Sequence, residues 1–174
     1  LSVFTNGSYG NKVYNYLSMK LTHMNSPWTN QLNAVNGRAQ LVPINPNKVY
    51  EDGTMWYNDV SNVMVANPGA SIPRATINDP NDNDRISDRY IEDGSYIRLK
   101  NISLGYTFPK KTIDKLGLSN LRIYANIQNL LTITGYDGYD PEIGASTSSV
   151  NVYGLDNGRY PSPTVYSFGL NVSF

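Results

Sequence analysis

Three groups of side chains in this sequence have the types and spacing to do chemistry. The first is a set of carboxylates: Glu51, Asp52, Glu92, Asp93 and Glu142. Cleaving a glycosidic bond needs two carboxyls held about 5–10 Å apart, but each of these lies in a turn-like context such as Glu51-Asp52-Gly53 or Glu92-Asp93-Gly94-Ser95. The second is the run Asp79-Pro80-Asn81-Asp82-Asn83-Asp84, whose alternating oxygens suit Ca²⁺ in type. An EF-hand loop requires Gly at its sixth position and Glu at its twelfth, where this chain has Asp84 and Tyr90. The run therefore reads as a turn rich in side-chain-to-backbone hydrogen bonds, and no metal site is expected. The third group is aromatic. Trp56 and Tyr57 follow Glu51-Asp52, a pattern able to stack on a sugar ring and hold its hydroxyls. Trp28 lies in a Tyr- and Met-rich stretch, and Tyr136 and Tyr139 lie in a Gly- and Tyr-rich one. These five rings are the ligand-contact residues expected from sequence, with packing of a loop on itself as the alternative for each.

Composition narrows the classes. There are 14 basic and 14 acidic residues, so nothing points to a polyanion-binding surface and nucleic acid is not expected as a partner. With no Cys there is neither a disulfide framework nor a thiolate metal site. The one histidine, His23, rules out a multi-histidine zinc centre and leaves a histidine-based triad without support. No cofactor is expected. No run of 18 apolar residues is present, so no transmembrane helix is expected; this does not bear on a membrane barrel, whose strands never form such runs. The chain opens Leu1-Ser2-Val3-Phe4 without an initiator Met or a signal region, and is expected to be a fragment of a longer protein.

The elements that would position these residues are mostly strands. From Tyr166 the chain alternates without a break: Tyr166, Phe168, Leu170, Val172 and Phe174 are large and apolar, while Ser167, Gly169, Asn171 and Ser173 are small or polar. Period 2 marks a strand with two different surroundings. About 9–11 residues, lipid-facing on one side and small polar on the other, is what a transmembrane barrel strand needs. Residues 102–108 alternate likewise (Ile102, Leu104, Tyr106, Phe108), but Ile97 and Leu99 have the opposite parity. That slip needs a bulge near Lys100-Asn101, or an upper segment facing other protein. Arg98 and Lys100 belong above a bilayer or in a lumen, since either at the lipid midplane costs about 2–4 kcal/mol. Pro109 and Gly117 bracket a short helix with Ile113 and Leu116 on its inner face, and residues 121–131 alternate again. A helix over about 12–24 and a second short one over 29–35 are expected. Residues 38–85 read as a long irregular excursion punctuated by Pro43, Pro46, Pro68, Pro73 and Pro80.

Several motifs now carry a resemblance. Arg85-Ile86-Ser87-Asp88-Arg89-Tyr90-Ile91-Glu92-Asp93-Gly94-Ser95-Tyr96-Ile97-Arg98-Leu99-Lys100-Asn101-Ile102-Ser103-Leu104-Gly105-Tyr106 resembles the C-terminal signature of the SusC/RagA family of TonB-dependent outer-membrane transporters. The helix-capped turn, Tyr124-Ala125-Asn126-Ile127-Gln128-Asn129-Leu130, Gly138-Tyr139-Asp140-Pro141-Glu142 and the Phe-terminated strand are similar to that family in the same order, as is Gly7-Ser8-Tyr9-Gly10-Asn11-Lys12-Val13-Tyr14-Asn15. Residues 52–68 match none of its patterns.

The resemblance implies an all-β chain: the C-terminal strands of a large antiparallel transmembrane β-barrel, with long extracellular loops containing short helices. On that scheme residues 1–174 supply strands at about 1–5, 96–108, 121–131 and 164–174. Loops 6–95 and 132–163 are extracellular, and 109–120 is a periplasmic turn. It also implies TonB-dependent import of glycans or peptides, with a SusD-like surface lipoprotein, TonB and outer-membrane lipid as partners and no catalytic group. TonB would act through a segment absent from this chain. Tyr166, Phe168, Leu170, Val172 and Phe174 would then be both wall and assembly signal. The alternatives are a soluble carbohydrate-binding β domain, which must bury these faces between stacked sheets, and a glycan-degrading enzyme.

Overall fold

A computed structural model describes residues 1–24, 27–143 and 153–174; the part of the expected loop 132–163 that falls on 144–152 lies outside them. In chain order the elements are β1 (Ser2–Ser8), β2 (Lys12–Asn15), α1 (Tyr16–Thr22), β3 (Leu41–Pro43), β4 (Val63–Val65), β5 (Ile91–Asp93), β6 (Tyr96–Thr107), α2 (Lys110–Ile113), β7 (Asn120–Thr134), β8 (Leu155–Asp156) and β9 (Val165–Ser173), with short 3-10 turns between. The chain divides into two compact units, one of residues 1–15 and 89–174, the other of residues 16–88.

The first unit is built on an antiparallel sheet in the order β1-β6-β7-β9. Its register follows from the side chains. Opposite one another stand Val3 and Ile102, Leu104 and Ala125, Tyr106 and Ile123, Ala125 and Phe168, and Ile123 and Leu170. Directly opposed residues share a face, so these pairs form one unbroken apolar surface. The other face carries Ser103, Gly105, Asn126, Ser167, Gly169 and Asn171, and there Ser103 Oγ donates to Asn126 Oδ1 at 2.7 Å. The parity slip in β6 is a bulge. Registers against both neighbours shift between Leu99 and Asn101, while Asn129 on β7 takes a left-handed φ of 51°. The extra residue keeps Ile97 and Leu99 in line with Ile102 and Leu104, and lets Arg98 and Lys100 share the polar face.

Close packing on the polar face also fixes register. Tyr124 stands opposite Gly169, and its ring occupies the space that a β-carbon at Gly169 would need. Gly169→Val should therefore cost about 1–3 kcal/mol by overpacking and lower the melting temperature of the folded protein. The double change Tyr124→Ala/Gly169→Val should recover most of the loss, because it removes the clash; a double variant no better than the single one would show that the ring is not the cause.

Strands β6 and β7 are joined by a compact turn. Pro109 precedes α2, and Gly117 ends the following 3-10 turn at φ 70°, the left-handed conformation glycine adopts without strain. Ile113 is buried as expected, but Leu116 is 70 % exposed. Leu116 falls in the 3-10 turn that follows α2; i and i+3 lie on one side in that geometry, but it is α2, with Ile113, that packs against β7.

A three-stranded sheet, β5-β2-β8, completes the unit. Its first strand corrects an expectation: residues 12–15 are β2, and the helix starts only at Tyr16. Val13 and Tyr90 are buried here, and the ring of Tyr14 meets that of Tyr90 edge-on at 6.2 Å.

The second unit contains α1, a 3-10 turn at Asn33–Gly37 and the β3-β4 ladder. The turn starts four residues later than the helix expected at 29–35. Inside the stretch read as irregular, Leu41–Pro43 and Val63–Val65 pair because both are short apolar runs. Side-chain amides do much of the fastening: buried Asn62 accepts from the Asn45 N–H at 2.8 Å and donates to the Asn45 carbonyl and Tyr50 Oη, and Asn67 bridges Gln40 N–H and the Arg38 carbonyl.

Candidate functional site

Two arrangements stand out once the side chains are placed. The first joins loop to sheet. Arg98 is held on the polar face of β6 and is only 3 % exposed. Its Nη2 donates to Asp140 Oδ1 at 2.5 Å, its Nη1 to Glu142 Oε2 at 2.7 Å and its Nε to Thr132 Oγ1 at 2.8 Å. Lys100 Nζ reaches both Glu142 oxygens at 2.7 and 2.8 Å. Asp140 in turn accepts from the backbone N–H of Glu142 at 2.9 Å and of Ser162 at 3.0 Å. Burial pushes the Asp140 carboxyl up; the Ser162 amide, the Arg98 guanidinium and the Glu142 amide outweigh it and hold the group below the usual carboxylate range. Every donor nitrogen of the guanidinium thus has a partner, as a buried cation requires. The effect is mechanical: Gly138-Tyr139-Asp140-Pro141-Glu142 and the approach to β9 are fastened to the four-stranded sheet.

Tyr136 reinforces this anchor. It is buried, and its hydroxyl donates to buried Asp156 at 2.6 Å. Burial and that carboxylate push its phenol well above the usual range. Its ring is therefore placed as core, whereas Tyr139 is 63 % exposed. Trp28, in the other unit, is largely exposed. The strand residues Tyr166, Phe168, Leu170, Val172 and Phe174 all project from the apolar face or end of β9, with Phe168 82 % exposed.

The second arrangement lies wholly within residues 16–88. Trp56 and Tyr57 meet edge-on at 5.6 Å and border a cavity of about 820 Å³ that also takes in Arg38, Gln40, Arg74 and Asn78. The turn that carries the rings is tied down at Asp59, which accepts from Lys48, Ser61 and Tyr50. Those bonds, Lys48 first, hold the Asp59 carboxyl well below the usual range. Sequence pattern pointed to the two rings but gave no signal for the two arginines, which come from stretches 36 residues apart with no shared motif.

Four of the five carboxylates considered for catalysis are engaged elsewhere, and the fifth, Glu51, is exposed. Asp52 accepts from Thr54 N–H, Asp93 from Ser95, Glu92 from Asn15 and Asp137 N–H, and Glu142 from Arg98 and Lys100. In the acidic run, Asp79, Asp82 and Asp84 bring oxygens within 4.8 Å of one another. Asp79 commits both of its oxygens to the turn, accepting from Asn83 Nδ2 and Asp84 N–H.

Comparison with known proteins agrees with these features. No family model matches. The chain is 42 % identical over 113 residues to the TonB-dependent receptor P3 of Formosa agariphila, a match covering 62 % of this chain and 11 % of that protein. It is 36 % identical over 93 residues to the TonB-dependent receptor SusC of Bacteroides thetaiotaomicron, covering 52 % of this chain and 8 % of the relative. The chain thus spans about a tenth of the length of these curated relatives. Among solved structures, the RagAB peptide transporter superposes with a TM-score of 0.62 over 99 % of this chain and 15 % of that one; at 18 % identity this shows the shared fold. These relatives are named receptors and transporters, not enzymes. The TonB-dependent receptor P39 of Formosa agariphila is 33 % identical over 142 residues, 74 % of this chain and 14 % of that protein, and on that extent of sequence identity the chain belongs to the TonB-dependent receptors of the SusC/RagA type, a family of outer-membrane proteins.

Proposed function

We propose that this chain is the C-terminal wall of a large transmembrane β-barrel that imports nutrients, glycans or peptides, across the outer membrane. The observation that carries the reading is the unbroken apolar face of the four-stranded sheet. Leu104, Phe168 and Leu170 are 60, 82 and 60 % exposed. A soluble sandwich requires these residues to be buried, and hydrocarbon is the solvent that suits them. Length agrees as well. The nine residues of β9 span about 30 Å at roughly 3.3 Å each; tilted by about 40° they rise about 23 Å, close to the ~25 Å apolar band of outer-membrane barrels.

On this reading β1, β6, β7 and β9 cross the bilayer, with the polar face turned to the lumen. The turn between β6 and β7 is periplasmic, and the connections from β1 to β6 and from β7 to β9 are extracellular. Four strands cannot stand alone in lipid, because unpaired edge groups there cost several kcal/mol each, so the wall closes through the remaining strands of a longer receptor. A SusD-like lipoprotein caps the extracellular mouth. TonB, acting through a segment outside this chain, supplies the energy. No bond is made or broken in this cycle, so ligand is bound and released by contacts alone.

The test uses the whole receptor in its outer membrane. Uptake of its nutrient should stop when TonB is deleted. Removal of Phe174 should lower the outer-membrane level several-fold while leaving ligand preference unchanged, as its role in the assembly signal requires. Uptake that persists without TonB overturns the importer reading, and an unchanged level after the deletion removes the assembly role from Phe174.

A further inference from the structure

We propose that the cavity bounded by Arg38, Arg74, Trp56 and Tyr57 binds an acidic saccharide, a sugar carrying a uronate carboxylate or a sulfate ester. The inference rests on the importer reading for its setting and names the ligand class at one site of it. Its volume of about 820 Å³ falls within the ~300–1,000 Å³ usual for ligand sites.

Charge chooses the ligand's sign. Two guanidinium groups border the cavity, and among the described residues no acidic one does. Neither Arg38 nor Arg74 forms an ion pair among the described residues. Arg38 is braced by one bond, from Nη1 to the Val35 carbonyl at 3.1 Å, which orients the group while leaving donors over. Both arginines are half-buried, so their charge is only partly met by water. Asp59, beside the turn that carries the rings, and Asp79, five residues after Arg74, do not neutralise them. Asp59 is taken up by Lys48, Ser61 and Tyr50, and Asp79 by its own turn. A planar fork of donors suits the paired oxygens of a carboxylate or sulfate.

The rest of the lining chooses a sugar. Trp56 and Tyr57 stand at 80° to one another and offer two rings at a corner; the apolar face of a pyranose packs on such a surface. Gln40, Asn58, Asn78 and Thr76 add amides and a hydroxyl able to bond sugar hydroxyls in either sense. The walls are stiff where this matters. Ala39 N–H bonds the Ile72 carbonyl at 2.9 Å, Gln40 N–H bonds Asn67 Oδ1 at 2.8 Å, and Asn58 N–H bonds the Met55 carbonyl at 2.8 Å. The backbone that carries Arg38, Gln40 and the two rings is thus held in place before ligand arrives, which limits the entropy lost on binding.

The experiment measures binding to the purified whole receptor by calorimetry. The probes are an oligogalacturonate, a sulfated galactan oligosaccharide, a neutral galactan oligosaccharide and a hexaglutamate peptide. At least one acidic sugar should bind at least tenfold more tightly than the neutral one, and the two acidic arms tell carboxylate from sulfate. Arg74→Gln and Trp56→Ala should each weaken that binding at least tenfold, with Arg74→Lys in between. Binding that ignores both substitutions, equal binding of the neutral sugar, or binding of neither acidic sugar overturns the site. So does hexaglutamate binding that is lost in Arg74→Gln but untouched in Trp56→Ala, which would make the cavity a peptide site. TonB-dependent uptake measured with the same variants keeps the two readings apart: if it continues while acidic sugars fail to bind, the importer stands and this assignment falls.

Discussion

Replacing Arg98 with Met should loosen the segment that follows β7 more than any other single change in this chain. The guanidinium is buried and holds Asp140 and Glu142 at 2.5 and 2.7 Å. Met fills similar space without charge, so Asp140, whose side chain is 6 % exposed, is left with two backbone amides and no cation. Breaking a buried pair from one side costs about 3–5 kcal/mol, because the remaining charge stays desolvated. At about 1.4 kcal/mol per factor of ten, hydrogen exchange at the Glu142 and Ser162 amides should rise by roughly 10²–10³-fold in the assembled receptor. Asp140→Asn in the same background should return part of the protection, since it removes the unpaired charge and keeps an acceptor. Unchanged exchange in Arg98→Met would mean that the network is ornamental.

The same cluster sets an acid response. The Asp140 carboxyl is depressed in the folded state, so its contribution is present above the unfolded carboxylate value near pH ~4 and is lost as pH falls through the lower folded value. In Arg98→Met one of the groups holding it down is gone while burial still pushes it up. The segment should therefore loosen at a higher pH in the variant than in the parent.

The second large effect belongs to the apolar face. Phe168→Arg puts a cation where the importer reading places hydrocarbon, at a cost of about 2–4 kcal/mol near the midplane. The outer-membrane level of folded receptor should drop at least tenfold. Gln128→Arg makes a comparable change on the opposite face and should leave the level within about twofold, because that side meets water. Equal tolerance at both positions would count heavily against a lipid-facing wall.

How much of this was legible in the residues themselves differs from element to element. The alternation from Tyr166 to Val172 could be read directly, since a strand's two-sidedness is written in neighbouring side chains. The slip at Lys100-Asn101 was legible as a problem with two solutions; the registers of β1 and β7 decided for a bulge. Strand β2 was hidden because the apolar residues from Tyr14 to Met24 keep no strict period, and residues 12–15 become a strand only by pairing with β5 and β8, far along the chain. Leu116 was expected to face inward on local spacing alone, but spacing does not say which part of the turn packs against β7, and Leu116 lies in the 3-10 turn beyond α2.

What the sequence alone determined, then, is the two-faced sheet: mainly antiparallel strands, an apolar face opposite a polar one, and the family motifs that run with them. These are local properties, fixed by side chains one or two positions apart. Tertiary structure decided where the charges and rings go. Arg98 meets Asp140 across 42 residues, and Arg38, Trp56 and Arg74 converge from separate turns of one unit. No spacing rule reaches that far, because such meetings depend on how loops close, and loop closure is set by many weak contacts together rather than by any residue's own preference.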